Sequence, residues 1–464
     1  MPSGLDRVRE VAGRDKEARF TALLHHVTVH RLMQAFDGLK KRAAPGVDGV
    51  TWHDYEQDLH ENLRGLHARV QSGRYRAKPS RRVYIPKADG RQRPLAIAAL
   101  EDKIVQRAVT EVLNAVFEAD FRGFSYGFRP GRSPHDALDA LAAGIGRKRV
   151  NWVLDADIRD FFGSLDREWL MKFLRHRIAD ERILRLIMKW LAAGVIEEGQ
   201  WSEPGQGSPQ GAILSPLLAN IALSALDDHF DQQWHRDMGD AGQRRARKKK
   251  GMGNWRLVRY CDDFVIMVGG ERHHAEALRA EVAAVLAPLG LRLAPEKTRV
   301  VHVDEGFTFL GFDIRRMRKR GTSKYYVYTK PSKKAVQSIK DKVRVKTYRS
   351  TRYQDLGDLL ADVNRSLAGW ANYFRHGVSK ATFSVVDSFT WNRLMRWIRA
   401  KYAGKTRLSM KELRRRFCDQ GWRFAHKGVV FTGAASVTVT RYRYRGSNIP
   451  TPWTPKPAAA VAGG

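Results

Sequence analysis

Aspartates interrupt two short apolar segments of the chain, and carboxylates in such places are suited to binding divalent cations. In LVRYCDDFVIMV, the adjacent Asp262 and Asp263 separate two runs typical of buried strands. In NWVLDADIRDFFGSL, Asp155 and Asp157 share one face of a predicted strand. Buried carboxylates are costly unless a cation neutralises them, and oxygen ligands suit Mg²⁺. If the two strands are neighbours in one sheet, Asp157, Asp262 and Asp263 converge on a pair of Mg²⁺ ions, for which Mn²⁺ is an expected substitute.

Two ions held in this way are suited to phosphoryl transfer. They activate an attacking hydroxyl and stabilise the leaving oxygen of an in-line displacement. Each segment alone has a plainer interpretation, because an isolated Asp-Asp turn is more often structural and Asp155 can be a solvated neighbour of the site. Together, on a strongly basic chain, the two segments favour chemistry on nucleic acid.

A predicted hairpin carries cations suited to a triphosphate. RRVYIPKADGRQRPLAI joins two strand-like runs through Asp89-Gly90, which is a strong signal for a tight turn. Lys87, Arg91 and Arg93 cluster around that turn, where arginine offers bidentate contacts to phosphate and lysine a point charge. A cationic surface hairpin without a ligand is the alternative.

Two further segments add polar groups with weaker signals. The glycines of GQGSPQG let a nucleic-acid backbone approach closely, and Gln210 lies among them. Lys297 follows the strand-like run of LGLRLAPEKT and is placed to face a developing phosphate charge, although a surface lysine is the default for such a position.

The charge balance indicates a polyanionic partner. The 464 residues contain 83 Lys and Arg against 49 Asp and Glu, which gives a net charge of +34. Nucleic acid is the polyanion most available to neutralise such an excess. Cys261 and Cys418 are the two cysteines, so a disulfide framework and cysteine-built zinc modules are excluded. The charged N-terminus and the shortness of the apolar runs predict a cytoplasmic, nucleoid-associated protein without a membrane partner.

The elements that position these groups change in character along the chain. Helical patterns predict an N-terminal extension over 1–75, and alternating strand-like and helical segments follow over 76–335. Within the latter, RRARKKK at 244–250 is typical of a solvated loop, with phosphate contact as the alternative. A helical region is predicted over 336–420. After it, a short basic β-rich module is expected over 421–449, and a disordered tail over 450–464.

In the β-rich module, β-branched residues and tyrosines alternate over 429–445. This pattern predicts a strand or hairpin that places Arg441, Arg443 and Arg445 on one face, where they suit backbone phosphates.

Eight segments, in this order, closely resemble the successive sequence blocks of reverse transcriptases encoded by bacterial group II introns. They are VYIPKADGRQRPLAI, DKIVQRAV, FSYGFRPGRSPHDAL, DADIRDFF, GSPQGAILSPLLANI, YCDDF, LRLAPEKT and FTFLGF. The resemblance covers about 45–320 in unbroken order. It implies an α+β right-hand polymerase, with fingers and palm over 76–335, that adds dNTPs to a DNA or RNA primer on an RNA template.

The resemblance also implies roles for individual residues. Asp157 and Asp262 would hold both metal ions, with Asp263 in support and the Ile158 carbonyl as a backbone ligand. Phe162 would be the gate that rejects a ribose 2′-hydroxyl. Contacts with the nucleotide are implied for Lys87, Arg93, Gln210 and Lys297. Contacts with nucleic acid are expected from Arg91, Arg129, Arg132, Arg244, Arg245, Lys248, Lys249, Asn372, Arg375, Arg441 and Arg443.

A second resemblance concerns the helical region. LGDLLADVNRSLAGWANYFRHGVSK is similar to the thumb, or maturase, region of intron-encoded proteins, and we expect 336–420 to form this domain. It implies that the protein binds group II intron RNA, assists its splicing, and copies it into target DNA during retrohoming. A domesticated relative acting in DNA repair or phage defence, and a non-catalytic RNA-binding splicing cofactor, are the alternatives.

Two departures from the family pattern stand out. Cys261 lies where alanine is usual in the aspartate turn. The sequence after about 445 is too short for the HNH-type endonuclease domain of many relatives, so second-strand cleavage by this chain is not expected.

Overall fold

The structure is a computed structural model that describes residues 4–86, 92–147, 149–197, 200–202, 211–402, 408–419, 421–442, 444–446, 449–450 and 452–454. Four residues predicted to contact ligands lie outside this description, namely Lys87, Arg91, Gln210 and Arg443. The backbone of Arg93 is described, but its side chain is not. Helices and strands are mixed along the chain, in agreement with the predicted combination of both.

The α-helices of the described residues occur from the N-terminal segment to residue 417. They are α1 (Gly4–Arg14), α2 (Val29–Asp37), α3 (Trp52–Glu56), α4 (Leu59–Gln71), α5 (Leu100–Phe117), α6 (Pro134–Arg147), α7 (Phe161–Ser164), α8 (Arg167–Arg177), α9 (Glu181–Ala192), α10 (Ser215–Ala222), α11 (Ser224–Met238), α12 (Ala241–Lys249), α13 (Arg272–Leu286), α14 (Lys333–Lys346), α15 (Leu356–Phe374), α16 (Lys380–Tyr402) and α17 (Met410–Phe417). None of these described helices has the length and apolarity needed to cross a membrane.

The strands of the described residues are short and form small sheets. They are β1 (Ser80–Pro86), β2 (Gln92–Ile97), β3 (Trp152–Ala156), β4 (Val195–Glu197), β5 (Gln200–Ser202), β6 (Asn254–Tyr260), β7 (Asp263–Gly269), β8 (Arg299–His302), β9 (Phe307–Phe309), β10 (Phe312–Arg318), β11 (Tyr325–Pro331), β12 (Ala425–His426) and β13 (Val429–Val430). Their orders in the sheets are β2-β1-β4-β5, β6-β7-β3-β8, β11-β10-β9 and β12-β13.

The sheet β6-β7-β3-β8 carries the aspartate segments. Strands β6 and β7 form an antiparallel hairpin in which Tyr260 pairs with Asp263. All five residues between the ends of β7 are buried, and helices α11 and α13 pack against this hairpin. Continuous apolar runs suit strands that are covered on both faces. Since β3 is the neighbour of β7, the condition on which the convergence of the two aspartate segments depends is met.

The predicted cationic hairpin is also present. Strands β1 and β2 pair antiparallel from Arg81 opposite Ile97 to Pro86 opposite Gln92. The predicted pairing of the two runs is thus confirmed, and the predicted Asp89-Gly90 turn lies outside the described residues.

Two compact units divide the chain. The first comprises Met1–Ser133, Leu154–Val300 and Ser447–Gly464, and the second comprises Pro134–Val153 and Val301–Gly446. In the first unit, α1 and α2 pack on the long buried helix α5. In the second, α14 packs on α15 and α16, and α6 packs on β10 and β11. The domain boundaries predicted at 75, 335 and 420 do not coincide with this division and stay predictions.

The structure corrects two predicted elements. The basic run 244–250 is a helix over most of its length, because α12 begins with a capping box between Asp240 and Gln243. The described residues of 429–445 form no strand beyond β13, so the prediction of a strand or hairpin is wrong for them. There the Asp387 carboxylate accepts hydrogen bonds from the Ala434 and Ala435 amides. These two amides are therefore satisfied without pairing to a neighbouring strand.

One buried carboxylate connects the N-terminal segment to α9. Asp180 is 2% exposed, and one of its oxygens accepts hydrogen bonds from the amides of Leu23 and Leu24 at 2.7 and 3.0 Å. Burial alone would raise the pKa of Asp180, but hydrogen bonds from Arg182 and from these amides lower it to about 2. The stabilisation is thus complete above pH 3.8, the ordinary value, and is lost as the pH falls towards 2.

We therefore expect Asp180→Ala to lower the free energy of unfolding by about 3 kcal/mol at neutral pH, because it leaves buried amides without an acceptor. Urea unfolding followed by circular dichroism measures this loss. The matched control is Asp166→Ala, which removes the N-cap of α8 at an exposed position and should cost about 1 kcal/mol. Equal losses in the two variants would contradict the role given to Asp180.

Candidate active site

The predicted aspartates meet at one end of neighbouring strands. Asp157 directly follows β3, and Asp263 opens β7 beside it. The Asp157 and Asp263 carboxyl groups are in hydrogen-bond contact, and Asp262 and Asp155 are close enough to act on Asp263 electrostatically. The structure therefore brings Asp155, Asp157, Asp262 and Asp263 into one acidic cluster, which we call the aspartate cluster.

The aspartate cluster has the electrostatics of a cation site. Desolvation in the cluster, together with repulsion from Asp262 and Asp157, raises the pKa of Asp263 above its ordinary range, although its side chain still reaches solvent. Two carboxylates in contact need a shared proton or a cation to offset their repulsion. Their oxygen atoms are the ligands that Mg²⁺ prefers, so the residues present fit this ion.

The cluster does not form a closed metal cage. Within the described part of the chain, no group of three or more His, Cys, Asp or Glu side chains is arranged so that it could hold a metal ion by itself.

Two cations border the aspartate cluster. The Lys297 ammonium lies 2.6 Å from an Asp157 oxygen, and the Arg299 guanidinium lies 3.5 Å from Asp155. Burial raises the pKa of Asp155 to about 6, against the opposing effect of Arg299. The Asp157 carbonyl accepts a 2.8 Å hydrogen bond from the Ala294 amide, which holds the segment before Lys297 against the end of β3. The Lys297 side chain is half-exposed.

The segment after Asp157 carries two adjacent phenylalanines. Ile158 is buried and forms a bridge with Leu293, which fixes the backbone at this point. Phe161 is also buried, whereas Phe162 is only partly so and packs edge-on against it with ring centroids 5.1 Å apart. The roles predicted for the Ile158 carbonyl and for Phe162 stay predictions.

A buried ion pair beneath the turn is the main feature that the sequence did not reveal. Arg259 is fully buried, and its Nε donates to an Asp227 carboxylate oxygen at 2.8 Å. Its Nη1 donates to the Asn220 side-chain oxygen at 3.0 Å and to the Cys261 carbonyl at 2.9 Å. The guanidinium therefore holds the backbone one residue before Asp262.

Gly127 completes this arrangement. Its carbonyl accepts a 2.8 Å hydrogen bond from the Asn220 side chain, and a Cβ at this position would lie 2.3 Å from the Cys261 backbone nitrogen. Cys261 itself has φ +57°, in the left-handed region. Its thiol side chain is 1% exposed, so the cysteine found where the family usually has alanine fits within the core. A glycine at 127 is needed so that the turn can pack this closely.

The predicted nucleic-acid contacts divide into buried and exposed groups. For Arg129 the prediction is wrong, because its side chain is buried in an ion pair with Glu118 at 2.7 Å and donates to nearby carbonyls. Arg132 and Arg244 are half-buried and donate to the carbonyls of Gly123 and Met238. The exposed members of the set are Arg245, Lys248, Lys249, Asn372 and Arg441. Arg375 is half-buried and bonds Asn372.

Comparisons with known proteins agree with this geometry. The model of the family "Reverse transcriptase (RNA-dependent DNA polymerase)" matches residues 85–314, and that of "Group II intron, maturase-specific domain" matches residues 336–417. Protein YkfC of Escherichia coli (strain K12) is 38% identical over 308 residues, which are 63% of this chain and 81% of YkfC.

A second relative extends the similarity further along the chain. Group II intron-encoded protein LtrA of Lactococcus lactis subsp. cremoris is 29% identical over 366 residues, which are 69% of this chain and 61% of LtrA. The chain thus spans less than two thirds of the length of LtrA. An uncharacterized 91 kDa protein in the cob intron of Schizosaccharomyces pombe is 31% identical over 296 residues, which are 55% of this chain and 36% of that protein.

The buried ion pair gives a prediction for stability. Asp227→Ala leaves the Arg259 charge buried without a counterion, so we expect a loss of about 3–5 kcal/mol in the free energy of unfolding. Denaturant titration measures this loss.

The neighbouring residue supplies the control. Asp228→Ala removes a partner of Arg122, but both side chains are partly exposed to solvent, which screens the pair, so we expect less than about 1 kcal/mol. If Asp227→Ala were as mild as Asp228→Ala, the ion pair would not be what holds the turn.

Proposed function

Since the chain belongs to the group II intron reverse transcriptase and maturase family, and is therefore an RNA-directed DNA polymerase, we propose that it copies its parent intron RNA during retrohoming. In this proposal the aspartate cluster carries out two-metal-ion nucleotidyl transfer. A primer of DNA or RNA is extended with dNTPs on the RNA template, next to target DNA. The observation that carries the proposal is the contact between Asp157 and Asp263 across neighbouring strands.

Reverse transcriptases generally use divalent metal ions, and the aspartate cluster supplies oxygen ligands for them. We assign two Mg²⁺ ions, with Mn²⁺ as substitute, to the carboxylates of Asp157, Asp262 and Asp263 and to the Ile158 carbonyl. When bound, Mg²⁺ would activate the primer 3′-hydroxyl and stabilise the charge on the leaving pyrophosphate. The carboxylates hold their positions because the Arg259 guanidinium fixes the turn from below.

Residues around the cluster orient the nucleotide. Lys297, now paired with Asp157, is placed to bind the pyrophosphate as charge develops on it. Phe162 lies one residue after the buried Phe161 and serves in the proposal as the barrier to a ribose 2′-hydroxyl. Lys87, Arg93 and Gln210 are proposed to bind the triphosphate and the nascent pair.

The second part of the proposal is binding of intron RNA and assistance to its splicing. It is supported by the match of residues 336–417 to the maturase-specific domain. In the first unit, α12 presents the exposed side chains of Arg245, Lys248 and Lys249. Arg247 of the same helix donates to the Gly253 carbonyl, and Asn254 donates to the Arg244 carbonyl, so α12 is fixed to the strand that follows it. A helix that is fixed in this way and carries three exposed cationic side chains is suited to binding the phosphates of a folded RNA.

Primer extension tests the enzymatic part. We expect the protein with Mg²⁺ to extend a DNA primer on an RNA template, and Asp262→Asn to abolish extension because it removes a carboxylate charge at nearly constant shape. The control is Asp37→Asn, an exposed aspartate at the end of α2. Unfolding temperatures of both variants should match that of the wild type. The proposal fails if folded wild-type protein makes no product, or if Asp262→Asn remains active.

Salt dependence tests the RNA contact of α12. The logarithm of the binding constant for a group II intron RNA should fall linearly with the logarithm of the salt concentration. Lys248→Ala should reduce the steepness of this line by about one. Arg272→Ala is the control, because this exposed arginine is already paired with Glu276 at 2.9 Å. An unchanged slope for Lys248→Ala would remove α12 from the proposed RNA surface.

A further inference from the structure

An exposed phenylalanine beside the aspartate turn has no role in the arrangement described so far. The Phe128 side chain is 62% exposed. Its backbone has φ +55°, in the left-handed region that bulky residues rarely occupy. A large apolar side chain and an unfavourable backbone conformation occur together at one surface position, and such outliers are concentrated at functional sites.

The residues on either side of Phe128 are anchored in the core. Gly127 lies against the Cys261 backbone and accepts a hydrogen bond from Asn220. Arg129 is buried and bonds Glu118 and the Ser125 carbonyl. Because both neighbours are fixed, the Phe128 side chain is held outward and has no freedom to fold into the core. The exposure of this ring is therefore built into the loop and is not the result of a loose segment.

The ring of Phe128 stands next to the catalytic turn. Its centroid lies 5.7 Å from that of Tyr260, and the two rings are tilted by 50°. The Tyr260 phenol also hydrogen-bonds to the Phe128 backbone. Tyr260 pairs with Asp263 across the β6-β7 hairpin, so Phe128 and Tyr260 form a continuous aromatic surface that ends at the aspartate cluster.

We propose that Phe128 binds a nucleotide at the open end of the primer–template duplex by stacking on its base. This proposal rests on the proposed polymerase function and adds a residue that contacts the substrate. Aromatic side chains bind nucleic acid irrespective of sequence, because every base has a flat apolar face. A polymerase must hold every sequence equally well, and a ring at a fixed position beside the turn meets that requirement.

The test separates the ring from the backbone conformation. Phe128→Ala removes the ring but keeps a side chain in the left-handed region. Phe128→Gly also removes the ring and, in addition, suits φ +55°. Phe128→Trp keeps an aromatic surface. Trp169→Ala, which removes a partly exposed aromatic residue of α8, is the control.

The affinity for a fluorescent DNA primer annealed to an RNA template is measured by anisotropy without dNTPs. Loss of one stacked base corresponds to about a tenfold weaker affinity. We expect that loss for Phe128→Ala and for Phe128→Gly, and no loss for Phe128→Trp or Trp169→Ala. Phe128→Gly should unfold at or above the wild-type temperature, because it relieves the backbone.

Two outcomes overturn the inference. The first is that Phe128→Gly binds the primer–template duplex with wild-type affinity. The second is that affinity across the variants falls with the unfolding temperature and does not depend on whether a ring is present. Wild-type primer extension, measured in parallel with Mg²⁺ and dNTPs, distinguishes this failure from failure of the proposed function. If the wild type extends primers and Phe128→Gly binds normally, only the stacking role is lost. If the wild type does not extend primers, the polymerase proposal fails irrespective of Phe128.

Discussion

The position of the aspartate turn depends on one buried cation, the Arg259 guanidinium. Its side chain is fully excluded from solvent, and such burial is tolerated only where a counterion and hydrogen-bond acceptors surround the charge. Asp227 provides the counterion, while the Asn220 oxygen and the Cys261 carbonyl accept the remaining hydrogen bonds. Because one of these acceptors belongs to the turn, Arg259 is satisfied only when the turn is in place. Stability of the core and geometry of the site are thereby coupled.

The sequence predicted those features whose signals are local. Apolar runs on either side of Asp262 and Asp263 predicted two strands joined by an acidic turn, and β6 and β7 have that form. The alternation around Asp155 and Asp157 predicted the strand β3, which lies beside β7. The Asp89-Gly90 dipeptide likewise predicted the pairing of β1 with β2. In each case a turn and a hydrophobic period of a few residues were sufficient.

Features that depend on distant partners were not predictable from one sequence. Arginine is typical of the protein surface, yet Arg129 and Arg259 are both buried. Their charges are neutralised by Glu118 and Asp227, which lie 11 and 32 positions away in the sequence. The alternation over 429–445 is typical of a strand, but Asp387, 47 positions earlier, accepts the Ala434 amide. An alternating pattern therefore indicates a preference for a strand, and a long-range hydrogen bond can override this preference.

Charge balance explains why the aspartate cluster lies among cations on a chain that must bind a polyanion. Four carboxylates close together would repel phosphates as well as each other. Lys297 and Arg299 border Asp157 and Asp155, and Arg259 lies beneath the turn. These cations are unequal, since Arg259 is buried and fixed whereas Lys297 and Arg299 remain largely exposed. The fixed charge keeps the turn in position. In the proposed function, Lys297 exchanges its carboxylate partner for the pyrophosphate while the fixed charge holds the turn, so the exchange needs no movement of the strands.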